Sequence, residues 1–171
     1  MKKLLILGAG GYGKTIADLA AQLGTYETIS YLDDNKTGTN ILGKCSDYPK
    51  FLGEEMEMYP AFGNNAIRMQ WLARLLEAGA VVPTLVHPRA YVSPEASLGV
   101  GSMVLPMAVV NTDTTVAMGC IINIGALLDH DCIVEDGAHL APGAVVKACN
   151  RIPAGSKIDS GTVIQTGEFP L

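Results

Sequence analysis

The stretch Val104-Leu105-Pro106-Met107-Ala108-Val109-Val110-Asn111-Thr112-Asp113-Thr114-Thr115-Val116-Ala117-Met118-Gly119-Cys120-Ile121-Ile122 decides how the second half of this chain folds. Val104, Val110, Val116 and Ile122 recur every six positions, and the series runs on in both directions. It begins with Val86, Val92 and Leu98 and continues through Leu128, Val134, Leu140, Val146, Ile152, Ile158 and Ile164 without a gap. Four residues after each aliphatic position stands a mostly small side chain, as at Ala108, Thr114, Cys120, Ala126 and Cys132. Three residues after, glycine is frequent, as at Gly101, Gly119, Gly125 and Gly137. A period of six matches neither the 3.6-residue helix nor unbroken strand alternation. It matches a triangular parallel β-helix, in which each hexapeptide gives one short strand and one turn, and three close a coil. The aliphatic residue points inward, the small one fills the corner, and glycine supplies backbone freedom at the turn.

Composition narrows the remaining possibilities. The chain has 171 residues, 49% of them hydrophobic and 17% charged, which excludes a disordered or tail-like protein. Net charge −5 and a pI near 5.1 argue against a nucleic-acid partner. No apolar run reaches the roughly 18 residues of a membrane helix, so no membrane insertion is expected. Cys45, Cys120, Cys132 and Cys149 form no Cys-x-x-Cys pair, so no disulfide framework is expected and a cytoplasmic protein is the default.

Residues 1–85 carry a different pattern. Residues 2–7 read as a buried strand, 8–13 as a glycine turn, 15–23 as a helix and 27–32 as a second strand. Residues 35–57 have no clear period. A short strand is expected over 58–62, an amphipathic helix over 66–78 and a last strand over 81–86. Strand–helix alternation predicts a small α/β domain with a parallel sheet, followed by the β-helix over 86–171.

Gly8-x-Gly10-x-x-Gly13 follows a strand and opens a helix, with Asp33 twenty residues beyond Gly13, as in a dinucleotide-binding turn. The same residues also satisfy a P-loop pattern, Gly8 followed after four residues by Gly13-Lys14-Thr15. About 85 residues are too few for the roughly 150 of a full NAD-binding domain or P-loop ATPase. A diphosphate ligand held at the helix start without redox or hydrolysis is the favoured reading. Asp33 or Asp34 then accepts from ribose hydroxyls or a base N–H. The bland alternative is a glycine turn that only packs helix against strand.

Three histidines are present: His87, His130 and His139. Their spacing does not suit a three-histidine zinc site, and no metal is expected. His130 lies two places after the inward Leu128, at a turn, beside Asp131. A carboxylate can orient an imidazole and stabilise its cation, so this pair is a candidate general base; a surface His–Asp pair without function is the alternative.

Taken in order, these motifs resemble one family. They are Gly8-Ala9-Gly10-Gly11-Tyr12-Gly13-Lys14, Leu32-Asp33-Asp34, Phe62-Gly63-Asn64-Asn65 with Arg68, His87-Pro88, and Asn123…Asp129-His130-Asp131-Cys132-Ile133 with His139 and Ala141-Pro142-Gly143-Ala144. The chain resembles the sugar O-/N-acyltransferases of the hexapeptide-repeat class, which acetylate sialic acid or UDP-linked amino sugars. The resemblance implies a Rossmann-like α/β unit followed by a left-handed parallel β-helix. It also implies a homotrimer with acetyl-CoA bound between subunits. Carried over, His130 is the general base, Asp131 its partner and Asn123 a polar neighbour. Gly10, Gly11, Tyr12, Gly13, Asp33, Asp34, Gly63 and Asn64 surround the UDP-sugar, and His139, Gly143, Lys147 and Ala148 the acetyl-CoA.

Two departures from the family stand out. Tyr12 occupies a position where many relatives carry His, and Lys147-Ala148-Cys149-Asn150-Arg151 replaces the usual Gly-Gly turn. The family continues for one or two coils beyond the position of Ile164, so the adenine end of CoA is expected to be held differently. Lys147, Arg151 and Lys157 are the candidates to meet its phosphates. The expected function is acetyl-CoA-dependent N-acetylation of a UDP-amino sugar in bacterial glycan biosynthesis. The alternatives are sialic acid O-acetylation and a shortened, non-catalytic scaffold that binds a nucleotide sugar.

Overall fold

The computed structural model describes residues 2–171 and divides into two compact units, the first ending at Pro83 and the second spanning Thr84–Leu171. In the first unit, β1 (Lys2–Leu7), β2 (Tyr26–Leu32) and β3 (Met56–Pro60) form a parallel sheet of order β2-β1-β3. Its central strand is the apolar run Leu4, Leu5, Ile6 and Leu7, each at most 1% exposed, as expected for a strand covered on both faces. Helices α1 (Gly11–Leu23) and α2 (Asn65–Glu77) flank it, α1 burying Ile16, Leu19 and Ala20, and α2 burying Leu72 and Leu75. Because β2 and β3 lie on opposite sides of β1, strand order reverses at β1. Open α/β sheets bind ligands at the carboxyl ends of the strands at such a reversal.

Three boundaries differ from the sequence reading. Helix α1 starts at Gly11, not at residue 15, so half of the glycine turn is its first turn. The strand expected over 58–62 is Met56–Pro60, and the unpatterned stretch contains a 3-10 helix, Cys45–Phe51. The strand expected over 81–86 does not form. Val81 makes one isolated bridge to Glu57, and Leu85–Val86 belongs to the β-helix. Pro83, between them, has no N–H to give to a ladder.

The second unit is a three-sided parallel β-helix of fourteen two-residue strands, from Leu85–Val86 to Val163–Ile164. Side one stacks Val86, Val104, Ile122, Leu140 and Ile158 inward. Side two stacks Val92, Val110, Leu128, Val146 and Ile164. Side three stacks Leu98, Val116, Val134 and Ile152. The predicted aliphatic series from Val104 onward forms the core together with the small corner residues Ala108, Cys120, Ala126, Cys132, Ala138 and Ala144, while Val86, Val92 and Leu98 are partly buried against it. Several small polar corner residues serve a second purpose. Thr84, Ser102, Thr114, Cys120, Cys132 and Asn150 each donate to the carbonyl fifteen residues ahead, tying one coil to the next.

Residues 165–171 fold back over the end of the β-helix. The Asn150 side chain donates to the carbonyls of Lys147 and Gln165 and accepts the N–H of Phe169. The Phe169 carbonyl accepts the N–H of Arg151, and its ring packs on the core. Phe169→Ala is expected to cost about 2 kcal/mol, below a full core truncation because the ring is only partly buried. Urea unfolding of the purified protein checks this.

Candidate functional site

In the β-helix, the candidate residues collect at two corners on either side of side two. The first corner joins sides two and three and carries His130. Here the Asp129 carboxylate accepts the His130 N–H at 2.8 Å and the Asn111 side-chain amide at 3.2 Å. The Thr114 hydroxyl pins the Asp129 carbonyl at 2.7 Å. The backbone leading into His130 is thereby fixed. Hydrogen bonding from the His130 N–H is the chief cause holding the Asp129 carboxyl below its usual value.

His130 Nδ1 lies 2.7 Å from Asp131 Oδ2, and Asp131 sits in the left-handed region with φ 55°. An ionised carboxylate only accepts, so Nδ1 carries the hydrogen and Nε2 keeps its lone pair. The bond to Asp131 is the main cause raising the His130 pKa above 6.5, with the Asp129, Asp131 and Asp113 charges adding to it. The His130 side chain is 46% exposed, so the free nitrogen is accessible.

The second corner joins sides one and two and carries Asn123, His139 and Gly143. Asn123 Oδ1 accepts the Ile124 N–H at 2.8 Å, which turns its amide nitrogen toward His139 Nε2 at 3.0 Å. The His139 Nε2 lone pair is thus engaged, and Nδ1 carries the hydrogen. His87 is buried, and its Nδ1 accepts the Arg89 N–H at 3.0 Å. Of the three histidines, His130 is the one whose exposed ring offers a bare nitrogen. The arrangement can take up a proton at Nε2 while Asp131 steadies the resulting cation.

The structure separates residues that the sequence reading grouped. Asn123 was expected beside His130, but within one chain it pairs with His139 at the other corner. The expected CoA set splits likewise: His139 and Gly143 lie at the second corner, Lys147 and Ala148 at the first. Lys147, Arg151 and Lys157 do not form one phosphate site. Lys147 donates to Gln165, Arg151 pairs with Glu135 at 3.0 Å on side three, and Lys157 lies near Asp159 on side one. Asn111, Asp113 and Cys149 were not singled out. They stand eighteen residues from Asp129, Asp131 and Asp131 respectively, so the coil period was the signal that could have found them.

In the first unit, the ends of β1 and β3 meet at the glycine turn. A Cβ on Gly13 would stand 1.9 Å from the Gly8 carbonyl oxygen, and Gly8 itself has φ 102°. Those two glycines are needed for packing. Gly10 and Gly11 are not, since a Cβ on either would meet nothing within 4 Å. The P-loop alternative fails here, because Gly11–Gly13 are helical and only residues 8–10 are left as loop. The Thr15 hydroxyl also points back to the Gly11 carbonyl at 3.3 Å.

Asp33 accepts the N–H groups of Ala9, Asn35 and Lys36 at 2.7–2.9 Å. Burial pushes its pKa up, but these bonds and the Lys36 charge outweigh that and hold it low. Asp34 accepts the Cys45 N–H at 2.9 Å. Both carboxylates therefore shape the loop around the turn, a task the sequence reading did not give them. Tyr12 is expected at the ligand, yet its phenol bonds to Tyr59 near Arg68, and burial chiefly raises its pKa. Asn64 caps α2 by accepting the Ile67 N–H at 3.0 Å, beside exposed Gly63.

A hexapeptide β-helix with an exposed His–Asp pair, preceded by an α/β unit with an open glycine turn, defines the class of hexapeptide-repeat acyltransferases. Comparison with known proteins narrows this. Residues 3–75 match the PglD N-terminal domain family. The acetyltransferase domain of PglB from Neisseria gonorrhoeae, solved in complex with acetyl coenzyme A, is 38% identical with a TM-score of 0.93. The match covers 96% of this chain and 82% of that one. The chain belongs to the sugar acetyltransferase family of that domain. A UDP-N-acetylbacillosamine N-acetyltransferase of Bacillus subtilis (strain 168) is 34% identical over 60% of this chain. That alignment spans about half (51%) of the Bacillus protein. A perosamine N-acetyltransferase from Caulobacter crescentus, 24% identical with a TM-score of 0.87 over 99% of this chain and 91% of its own, shares the fold.

Proposed function

We propose that this protein transfers the acetyl group of acetyl-CoA to the amine of a nucleotide-linked sugar, a UDP-amino sugar in the first instance. The observation that carries the reading is the outward Nε2 of His130 backed by Asp131 on an acyltransferase β-helix. The relatives support both substrates: one is solved with acetyl-CoA and one is named for a UDP-sugar. In this reading the β-helix is left-handed and the α/β unit Rossmann-like, with the nucleotide diphosphate at Gly10 and Gly11, the N-cap and first residue of α1. The sugar amine attacks the thioester carbonyl while His130 Nε2 takes its proton. The tetrahedral intermediate then collapses, releases the CoA thiolate and forms the amide. Asp131 keeps the ring in the tautomer that has Nε2 free, and stabilises the imidazolium. No resident metal takes part, and the reaction belongs in the cytoplasm with its acetyl-CoA.

The active form is a homotrimer. The outward ladder of side two, Tyr91, Val109, Leu127, Val145 and Val163, is apolar apart from the Tyr91 hydroxyl. Tyr91, Leu127 and Val163 are at least 40% exposed in the single chain. A contiguous apolar face of this kind calls for cover. Packing it in a three-fold ring sets the His130 corner of one copy beside the Asn123–His139 corner of the next. That reunites the residues one chain keeps apart. Leu127→Asp is expected to convert a species of three times 18.0 kDa into monomer and to abolish turnover, read by light scattering and by CoA thiol release.

The deciding experiment is thiol release from acetyl-CoA with a panel of nucleotide-linked amino sugars and with sialic acid. Turnover with a 4-amino sugar supports the proposal, and turnover with sialic acid alone moves it to O-acetylation. Nucleotide-sugar binding without thiol release leaves the scaffold reading.

A further inference from the structure

We propose that His130, Asp131 and Cys149 form a binding site for a thiophilic divalent cation, Zn2+ above all, and that its occupancy switches the His130 base off. The second half of this statement rests on the acetyltransferase reading; the binding site does not. One donor atom from each of the three side chains lies within 4.8 Å of the others. The repeat creates this proximity. Asp131 and Cys149 hold the same turn position in successive coils, both in the left-handed region (φ 55° and 59°), and the Cys149 N–H donates to the His130 carbonyl at 3.3 Å. Asp113 holds that position one coil earlier, and its charge joins those of Asp129 and Asp131 acting on the imidazole. A cation arriving here meets a negative corner with three ligand types ready.

Zinc–ligand bonds of about 2.0–2.3 Å place neighbouring tetrahedral donors roughly 3.3–3.8 Å apart. The donors already lie within 4.8 Å of one another, and rotation of the exposed side chains adjusts them to that spacing. An imidazole, a carboxylate and a thiolate favour Zn2+ over Mg2+ or Ca2+, which prefer all-oxygen shells. Three protein ligands leave the fourth position to water. Binding releases the thiol proton to solvent, so affinity rises with pH. Either mode of imidazole ligation removes the base. At Nε2 the metal occupies the lone pair itself. At Nδ1 it displaces that hydrogen, and the neutral ring then carries its hydrogen on Nε2.

Cys45, Cys120 and Cys132 are buried, so Cys149 is the exposed thiol and a thiolate signal reports on it alone. Metal-free protein is titrated with Co2+, followed by Zn2+ displacement, while acetyl transfer is followed by loss of thioester absorbance. The expected result is a Co2+–thiolate charge-transfer band and loss of turnover in Zn2+, restored by EDTA. Millimolar Mg2+ should do neither. In Cys149→Ser the band disappears and the Zn2+ concentration for half-inhibition rises by at least about tenfold, as loss of one of three ligands requires. Its metal-free turnover stays near wild type. Should that variant not fold, iodoacetamide alkylation of Cys149 on the folded wild type must have the same effect. Absence of the band, or equal Zn2+ binding after loss of the thiol, overturns the site. Absence of acetyl transfer overturns the function instead and leaves the metal titration to decide the site by itself.

Discussion

His130→Ala is expected to lower kcat by about 10²–10⁴-fold, the contribution of a positioned general base. Trimer mass and ligand affinity should stay near wild type, because the exposed ring packs nothing in the core. The pH dependence gives a second reading. The base acts only when deprotonated, and the bond to Asp131 raises its pKa. Wild-type kcat/KM should therefore rise with pH through an apparent pKa above 6.5, the unperturbed histidine value. Asp131→Asn removes the carboxylate, so the acidic limb should move to lower pH with a smaller loss of rate than His130→Ala. Turnover by His130→Ala within a factor of about 3 of wild type over pH 6–9 would falsify the assignment, since a general base contributes far more.

The β-helix was legible in the sequence because its period is its structure. Every sixth residue is aliphatic and points inward, and that series with the small corner residues four positions on makes the core. The candidate site was half legible. His130 and Asp131 are neighbours in the chain, so their pairing could be read directly. The Asn123–His139 bond spans sixteen residues across a coil boundary and depends on which corner each residue occupies. Side-chain direction settles that, and a motif placed on one line does not show it. The same limit hid the fate of Asp33. Its position after β2 suggested a ribose acceptor, but the loop folds so that three backbone N–H groups reach it. Nothing in the spacing of 35–57 gives that path.

The glycine turn yields the other large effect, and it separates packing from binding. Gly13→Ala is expected to unfold the first unit. Its Cβ would stand 1.9 Å from the Gly8 carbonyl oxygen, and that oxygen belongs to backbone held on two sides. The Gly8 N–H bonds to the Leu32 carbonyl at 2.8 Å, and its φ of 102° already suits glycine alone. Neither helix nor strand can yield without breaking the β1–α1 contact, so the cost falls at or beyond the upper end of overpacking, about 3 kcal/mol or more. Among the described residues both α-helices lie in this unit, so circular dichroism at 222 nm isolates its loss from the β-helix. Gly10→Ala is the matched control. A Cβ there meets nothing within 4 Å, and its φ of −72° suits any residue. It should keep the helical signal and the melting temperature, yet weaken nucleotide-sugar binding by calorimetry, because the added methyl occupies the space a diphosphate needs. Acetyl-CoA binding should be unchanged in that variant. If Gly10→Ala bound the nucleotide sugar as wild type does, the turn would serve packing alone, and the diphosphate would have to sit elsewhere.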